Sequence, residues 1–137
     1  MELIDTSALI LGARDPRLRD WFADALRLDA LAICDIVALE YVMGARNTAD
    51  YERLMTALAG FTTIATEPAD WARAREAHRR LAERGHGEQR SFRIPDLIIA
   101  AVAERSGLAV LHYDEDYDRI AAITGQATRW VLPRASA

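Results

Sequence analysis

IPDLIIAAVAERSGLAVLHYD, residues 94–114, changes its period half-way along. Asp96 heads LIIAAVAER, a helix that is apolar almost all round, and such a helix is buried against both a sheet and other helices. Gly107 stops it. Leu108 to Tyr113 then reads as a short buried strand that ends at Asp114. A helix leading into a buried apolar strand is one unit of an α/β layer, and the flanking sequence repeats that unit.

At the N-terminus, Leu3-Ile4 is a short apolar run closed by Asp5, with DTSAL behind it able to cap a helix that starts at once. Asp15-Pro16 opens a second helix carrying Leu18, Trp21, Phe22, Ala25 and Leu26 at helical spacing. Leu31 to Cys34 is a second apolar strand. Asp35 is expected to cap a helix with Ile36, Val37, Leu39, Glu40 and Met43, and another helix runs from about Ala49 to Ala59. Phe61 to Ile64 is β-rich. Glu67-Pro68 opens a long helix to about Arg84, on which Trp71, Ala74, His78 and Leu81 share a face. GHGEQRSFRIP is a polar loop. After the central segment, Tyr117 to Ile123 forms a short helix and Thr128 to Val131 an edge strand. Short strands alternating with helices imply an α/β fold with a mostly parallel central sheet, whose ligands bind outside the carboxyl ends of the strands. With no repeat, linker or low-complexity tract, residues 1–137 are expected to form a single domain.

Composition excludes several classes. The 137 residues are 51% hydrophobic and 28% charged, which is too apolar for a disordered chain. One cysteine, Cys34, rules out an internal disulfide framework or a Cys-rich zinc module. The longest apolar run, Leu97 to Ala103, falls far short of the ~20 residues of a membrane span. The opening MELID lacks the basic and apolar regions of a secretory signal, so a cytoplasmic protein is expected. The net charge of −4 and a pI near 5.4 argue against a basic coat for DNA. All seventeen basic residues are Arg, the side chain whose planar fork suits phosphate, although genome composition explains the bias as well. The three histidines, His78, His86 and His112, are scattered, and no phosphate-binding glycine motif is present.

Four acids stand where an acid needs a reason. Asp5 and Asp114 each end a strand, Asp96 heads the most apolar helix, and Glu40 falls on the helical wheel between Ile36 and Val37, beside Leu39 and Met43. Asp116 follows two residues after Asp114; Asp118 reads as a solvated charge. Each has a plainer reading: Asp5 and Asp96 as helix caps, Asp114 as a turn residue, Glu40 as an extended or Arg-paired side chain. Taken together they form a cluster of mutually repelling carboxylates, which a hard divalent cation would relieve.

The ordered set LIDTSALI, VALEYVMGA, IPDLIIAAVA and LHYDEDYDRIA closely resembles the PIN-domain proteins, above all the VapC toxins of bacterial toxin–antitoxin pairs, over essentially the whole chain. The resemblance implies a PIN-like three-layer α/β/α sandwich and a Mg²⁺- or Mn²⁺-dependent endoribonuclease. Asp5, Glu40, Asp96 and Asp114 would be its catalytic, metal-holding quartet and Asp116 an accessory metal ligand. It also implies a homodimer held inactive by a VapB-type antitoxin, which could dock on the helices of residues 15–29 and 36–59. Relatives often carry Ser or Thr two residues before the fourth acid; His112 stands there, and a neutral imidazole could replace the hydroxyl as a donor. With the five candidate acids set aside, sixteen acids face seventeen arginines, so the remainder is close to neutral. Arg90 and Arg93, near Asp96, are the candidate RNA contacts. Two other readings stay open. One is a non-catalytic PIN-fold binding protein. The other is a different Mg²⁺-dependent phosphoryl-transfer enzyme, although Thr6 and Ser7 after Asp5 and the lack of Lys do not fit a phosphoaspartate mechanism.

Overall fold

The computed structural model describes all 137 residues. Five strands, β1 (Glu2–Ile4), β2 (Leu31–Cys34), β3 (Thr62–Ile64), β4 (Val110–His112) and β5 (Thr128–Trp130), form one sheet in the order β3-β2-β1-β4-β5. Every adjacent pair is parallel, so the expected mostly parallel sheet is wholly parallel. Seven α-helices connect them: α1 (Thr6–Arg14), α2 (Arg19–Arg27), α3 (Asp35–Val42), α4 (Thr48–Ala57), α5 (Pro68–Glu83), α6 (Ile94–Arg105) and α7 (Asp116–Thr124).

The strand order reverses at β1. From β1 the chain steps through β2 to β3, then returns across the sheet to β4 and moves on to β5. Right-handed crossovers then place α1 to α4 on one face and α5 to α7 on the other. Within these layers α1 packs on α2 and α3, and α5, α6 and α7 pack on one another, while α3 also meets α6 across the two groups. A single core of buried side chains runs from Leu3 to Val131 between these layers.

Helix α6 is buried at every position from Asp96 to Ala103, as its all-round apolarity requires. Other details depart from the sequence pattern. Asp35 is the first helical residue of α3, and Cys34, buried at the end of β2, is the N-cap. Asp15 does cap the next turn, but as a single 3-10 turn (Pro16–Leu18) that leads into α2. The 3.6-residue pattern on α5 fails at Trp71, which is half exposed, while Ala74 and Leu81 are buried; in that first turn Asp70 takes the buried place. The loop before α6 contains a 3-10 turn, Glu88–Ser91.

The start of α5 is tied to the end of α6 by one buried acid. Asp70, 1% exposed, accepts from the backbone N–H of Glu67 at 2.8 Å and from Arg105 Nε and Nη2 at 2.8 and 3.0 Å. Arg105 also donates to the Ala65 carbonyl at 2.7 Å. Replacing Arg105 with Ala strands that carboxylate. A loss of stability is expected, smaller than for a fully buried pair because the guanidinium is partly exposed and Asp70 keeps the Glu67 N–H. A lower urea midpoint at unchanged slope is the readout, and an unchanged midpoint contradicts it.

Candidate active site

The reversal of strand order lies between β1 and β4, where the sheet leaves a crevice at its carboxyl edge. The two strands are in register there, with Leu3 opposite Val110 and Ile4 opposite Leu111, and the Asp5 N–H donates to the Leu111 carbonyl at 3.0 Å. The residues that follow, Asp5 on one strand and His112 to Asp114 on the other, therefore emerge side by side.

Asp5 is 3% exposed and caps α1. Its carboxylate accepts from the backbone N–H groups of Ser7 and Ala8 at 3.2 and 3.0 Å and from the Ser7 hydroxyl at 2.8 Å. Ser7 Oγ also accepts the N–H of Tyr113 at 2.9 Å, so one hydroxyl fastens α1 to the end of β4. Helix-cap and candidate-site positions thus coincide at Asp5. Burial nevertheless raises its pKa to about 6, against the lowering effect of those donors, with Asp114 adding repulsion.

Asp96, also 3% exposed, sits in the first turn of α6. Oδ1 has only a long contact, 3.5 Å, from the buried Tyr117 hydroxyl, and Oδ2 is buried with no partner. Burial, with repulsion from Asp114, Asp5 and Glu40, outweighs the opposing pull of Arg93 and raises its pKa to about 7. Asp114 Oδ1 accepts the Asp116 N–H at 3.0 Å, which turns the chain into α7. One carboxylate oxygen from each of Asp96, Asp114 and Asp116 lies within 4.8 Å of the others.

Glu40 takes a more peripheral place. It is not enclosed in an apolar stripe: Leu39 and Met43 beside it are 62% and 78% exposed. Its charge is met by the Thr6 hydroxyl at 2.8 Å and by Arg93 at 2.5 Å. Arg93 therefore reaches the acidic site itself, while Arg90 is exposed and forms no side-chain hydrogen bond or ion pair.

His112 does not serve as a donor into the cluster. Its ring is fully buried against Tyr117 and Trp130, and Nδ1 accepts the Asp114 N–H at 3.2 Å. The proton is then on Nε2, which points toward Asp118, 3.9 Å from its Oδ1. Burial lowers the pKa and keeps the ring neutral. The hydroxyl in the site comes from Ser7 instead. Three further residues escaped the sequence reading. In the sequence Thr6 and Ser7 read only as cap residues behind Asp5, and Arg119 is not singled out. Arg119 binds Asp116 at 3.0 Å and Ser91 at 2.9 Å, and its guanidinium stacks over the Phe92 ring. Its position three residues after Asp116 on a helix was the available signal.

A PIN-domain family model matches residues 3–123. Ribonuclease VapC18 of Mycobacterium tuberculosis (strain ATCC 25618 / H37Rv) is 45% identical over 133 residues, which cover 97% of this chain and 96% of the relative. The chain belongs to the VapC family of PIN-domain proteins. Ribonuclease VapC51 of the same strain is 42% identical over 96% of this chain and 93% of its own. Among solved structures, a VapBC2 complex from Rickettsia felis bound to a promoter DNA fragment matches with a TM-score of 0.74 at 13% identity, covering 94% of this chain and 97% of its own. FitAcB from Neisseria gonorrhoeae matches at 0.69 and 20% identity, covering 93% and 96%. At these identities the structures show the VapC-like PIN fold.

The raised carboxyls give this VapC-family chain a defined pH dependence. Asp5 and Asp96 bind protons more tightly folded than unfolded, where a carboxyl titrates near 3.8. Between about pH 4 and 7 the folded state therefore holds extra protons, and stability without divalent ions falls as pH rises through that window. Asp15, Asp50 and Glu76, whose pKa values are lowered by Arg partners, act in the opposite sense below it, and His112, whose pKa burial lowers from 6.5, opposes the two acids within it. Urea unfolding in chelator should give a lower midpoint at about pH 7.5 than at about 4.5. Asp5→Asn and Asp96→Asn together should flatten the profile. A midpoint that rises through this window contradicts the assignment.

Proposed function

We propose that the chain is a Mg²⁺- or Mn²⁺-dependent endoribonuclease and the toxin of a toxin–antitoxin pair. The observation that carries this reading is the convergence of Asp96, Asp114 and Asp116 at the strand-order reversal, with Asp96 Oδ2 buried and unpartnered. An all-oxygen donor set with too little positive charge beside it suits a hard divalent ion. Asp96, Asp114 and Asp116 would hold that ion, and Asp5 and Glu40 would complete the surrounding negative charge. When bound, it would supply Lewis acidity, lowering the pKa of a bound water and offsetting charge on the scissile phosphate.

The remaining work falls to the chain's own groups. Ser7 and the α1 N-terminus hold Asp5 in one orientation. Thr6 does the same for Glu40. Asp114, partly exposed and with no hydrogen bond to Oδ2, takes the proton of the attacking water and passes it to solvent. Arg93 moves from Glu40 to a substrate phosphate, and Arg90 contacts a neighbouring one; such contacts position RNA without reading its sequence.

We further propose a VapB-type antitoxin partner, a homodimer and action in the cytoplasm. The names of the relatives and structural neighbours support the first, and no helix is long and apolar enough to cross a membrane. Leu39 and Met43, exposed beside Glu40, are apolar surface that such a partner would cover.

Purified protein, freed of any partner, should cleave RNA with Mg²⁺ or Mn²⁺ and not with EDTA. Asp5→Asn and Asp96→Asn should each reduce the rate by at least ~100-fold. Mn²⁺ should raise the melting temperature of the wild type and not of Asp96→Asn, because a ligand of the folded state stabilises it. Cleavage in EDTA, or cleavage retained in both variants, refutes the mechanism. No cleavage and no shift favour a binding protein with a PIN fold.

A further inference from the structure

We infer a second nucleic-acid site beside the carboxylates. The cavity between α1, α3 and α4 is a seat for the backbone phosphates of single-stranded RNA, held by Arg14, Arg46 and Arg53. This rests on the ribonuclease reading and extends it by naming how the strand is held on one side of the scissile bond.

The cavity has a volume of about 480 Å³ and brings together side chains from three separate elements. Arg14 lies at the last turn of α1, Arg46 in the turn between α3 and α4, and Arg53 one turn into α4. Two acids line it. Asp50 is bracketed by Arg46 at 3.5 Å and Arg53 at 2.7 Å, and these arginines hold its pKa below the usual range. Glu40 is neutralised by Arg93, which does not line the cavity. Three guanidiniums therefore face two carboxylates, an excess of one positive charge that rises to two while Arg93 holds Glu40.

Arg14 is the telling member. It makes no side-chain hydrogen bond and no ion pair, so it does no visible structural work. Arg46 and Arg53 are 83% and 67% exposed at their side chains, so their remaining donors are free to take a phosphate. Ile10, Tyr41 and Leu54 supply apolar wall between the cations, which suits a nucleotide chain better than a bare inorganic anion.

Position sets the function. Glu40 belongs both to this cavity and to the acidic cluster, where it repels Asp96. A strand anchored in the cavity thus continues directly toward the carboxylates. The protein carries a net charge of −4, so a polyanion needs such a local positive seat to approach an acidic centre.

The test compares binding of a fluorescein-labelled oligouridylate of about fifteen nucleotides across a salt series. The background is Asp96→Asn, so that cleavage does not intrude. Arg14→Ala, Arg46→Ala and Arg53→Ala combined should weaken binding by at least ~10-fold and lower the slope of log affinity against log salt by about 2, at ~0.7 per lost phosphate contact on a single strand. Arg14→Ala alone should lower it by about 0.7, and Arg14→Lys should restore it. Melting curves establish that each variant is folded; if the triple variant is not, the exposed Arg14 pair of variants decides. An unchanged slope in folded variants, with wild-type protein still cleaving RNA, overturns this site and leaves the ribonuclease reading intact. Unchanged RNA binding with loss of binding to an acidic peptide assigns the cavity to a protein partner instead. A wild type that neither binds nor cleaves RNA overturns both.

Discussion

The parallel pairing of β1 with β4 is the constraint from which the site follows. Each strand is only three residues long, and each ends at the same level of the sheet. Because the strand order reverses there, the helices leaving the two strands go to opposite faces, and the ends of the strands face an open crevice. Asp5 is the first residue beyond β1, and Asp114 stands two residues beyond β4. The register, fixed by Leu3 against Val110 and Ile4 against Leu111, makes them neighbours; a slip of one residue would send alternate side chains to the other face.

Placing carboxylates together at a buried edge is unfavourable, and the fold distributes the burden unevenly. Asp5 is surrounded by donors from the first turn of α1. Glu40 has a hydroxyl and a guanidinium, and Asp116 has Arg119. Asp96 is left with one long contact and an orphaned oxygen. Asp5 and Asp96 are equally buried, yet the protein satisfies the first and leaves the second without a close partner. A fold selected only for stability would replace that carboxylate, since a buried charge without a partner is among the most destabilising features a core can hold. Its retention in the most apolar helix is the physical mark of a site.

Much of this was legible in the chain because burial writes itself as uninterrupted apolar runs. LAIC, LAVLHY and LIIAAVAER leave little choice of element, and an acid at the end of such a run is conspicuous. Contacts set by distant segments leave no such trace. Trp71 matches the buried face of α5 by period, yet in the first turn it is Asp70 that is buried and the indole is half exposed. Glu40 fits an apolar stripe on the wheel, yet α3 packs by Val37 and Val42 and turns Leu39 and Met43 outward. The Arg93–Glu40 pair joins residues 53 positions apart, and no local pattern could foretell it.

His112 shows how a departure from the family pattern is absorbed without loss of the local geometry. The imidazole lies in the core against Tyr117 and Trp130. From there Nδ1 accepts the Asp114 N–H, so the ring still fixes the backbone that carries the acid. Ser7 supplies a hydroxyl beside it, donating to Asp5 and accepting from Tyr113 and so spanning the ends of β1 and β4. One polar group per strand end is what the crevice requires, and it is indifferent to which strand supplies the hydroxyl. The neutral ring also suits the place, because burial disfavours a charged imidazole and so keeps Nδ1 an acceptor at the pH where the carboxylates ionise.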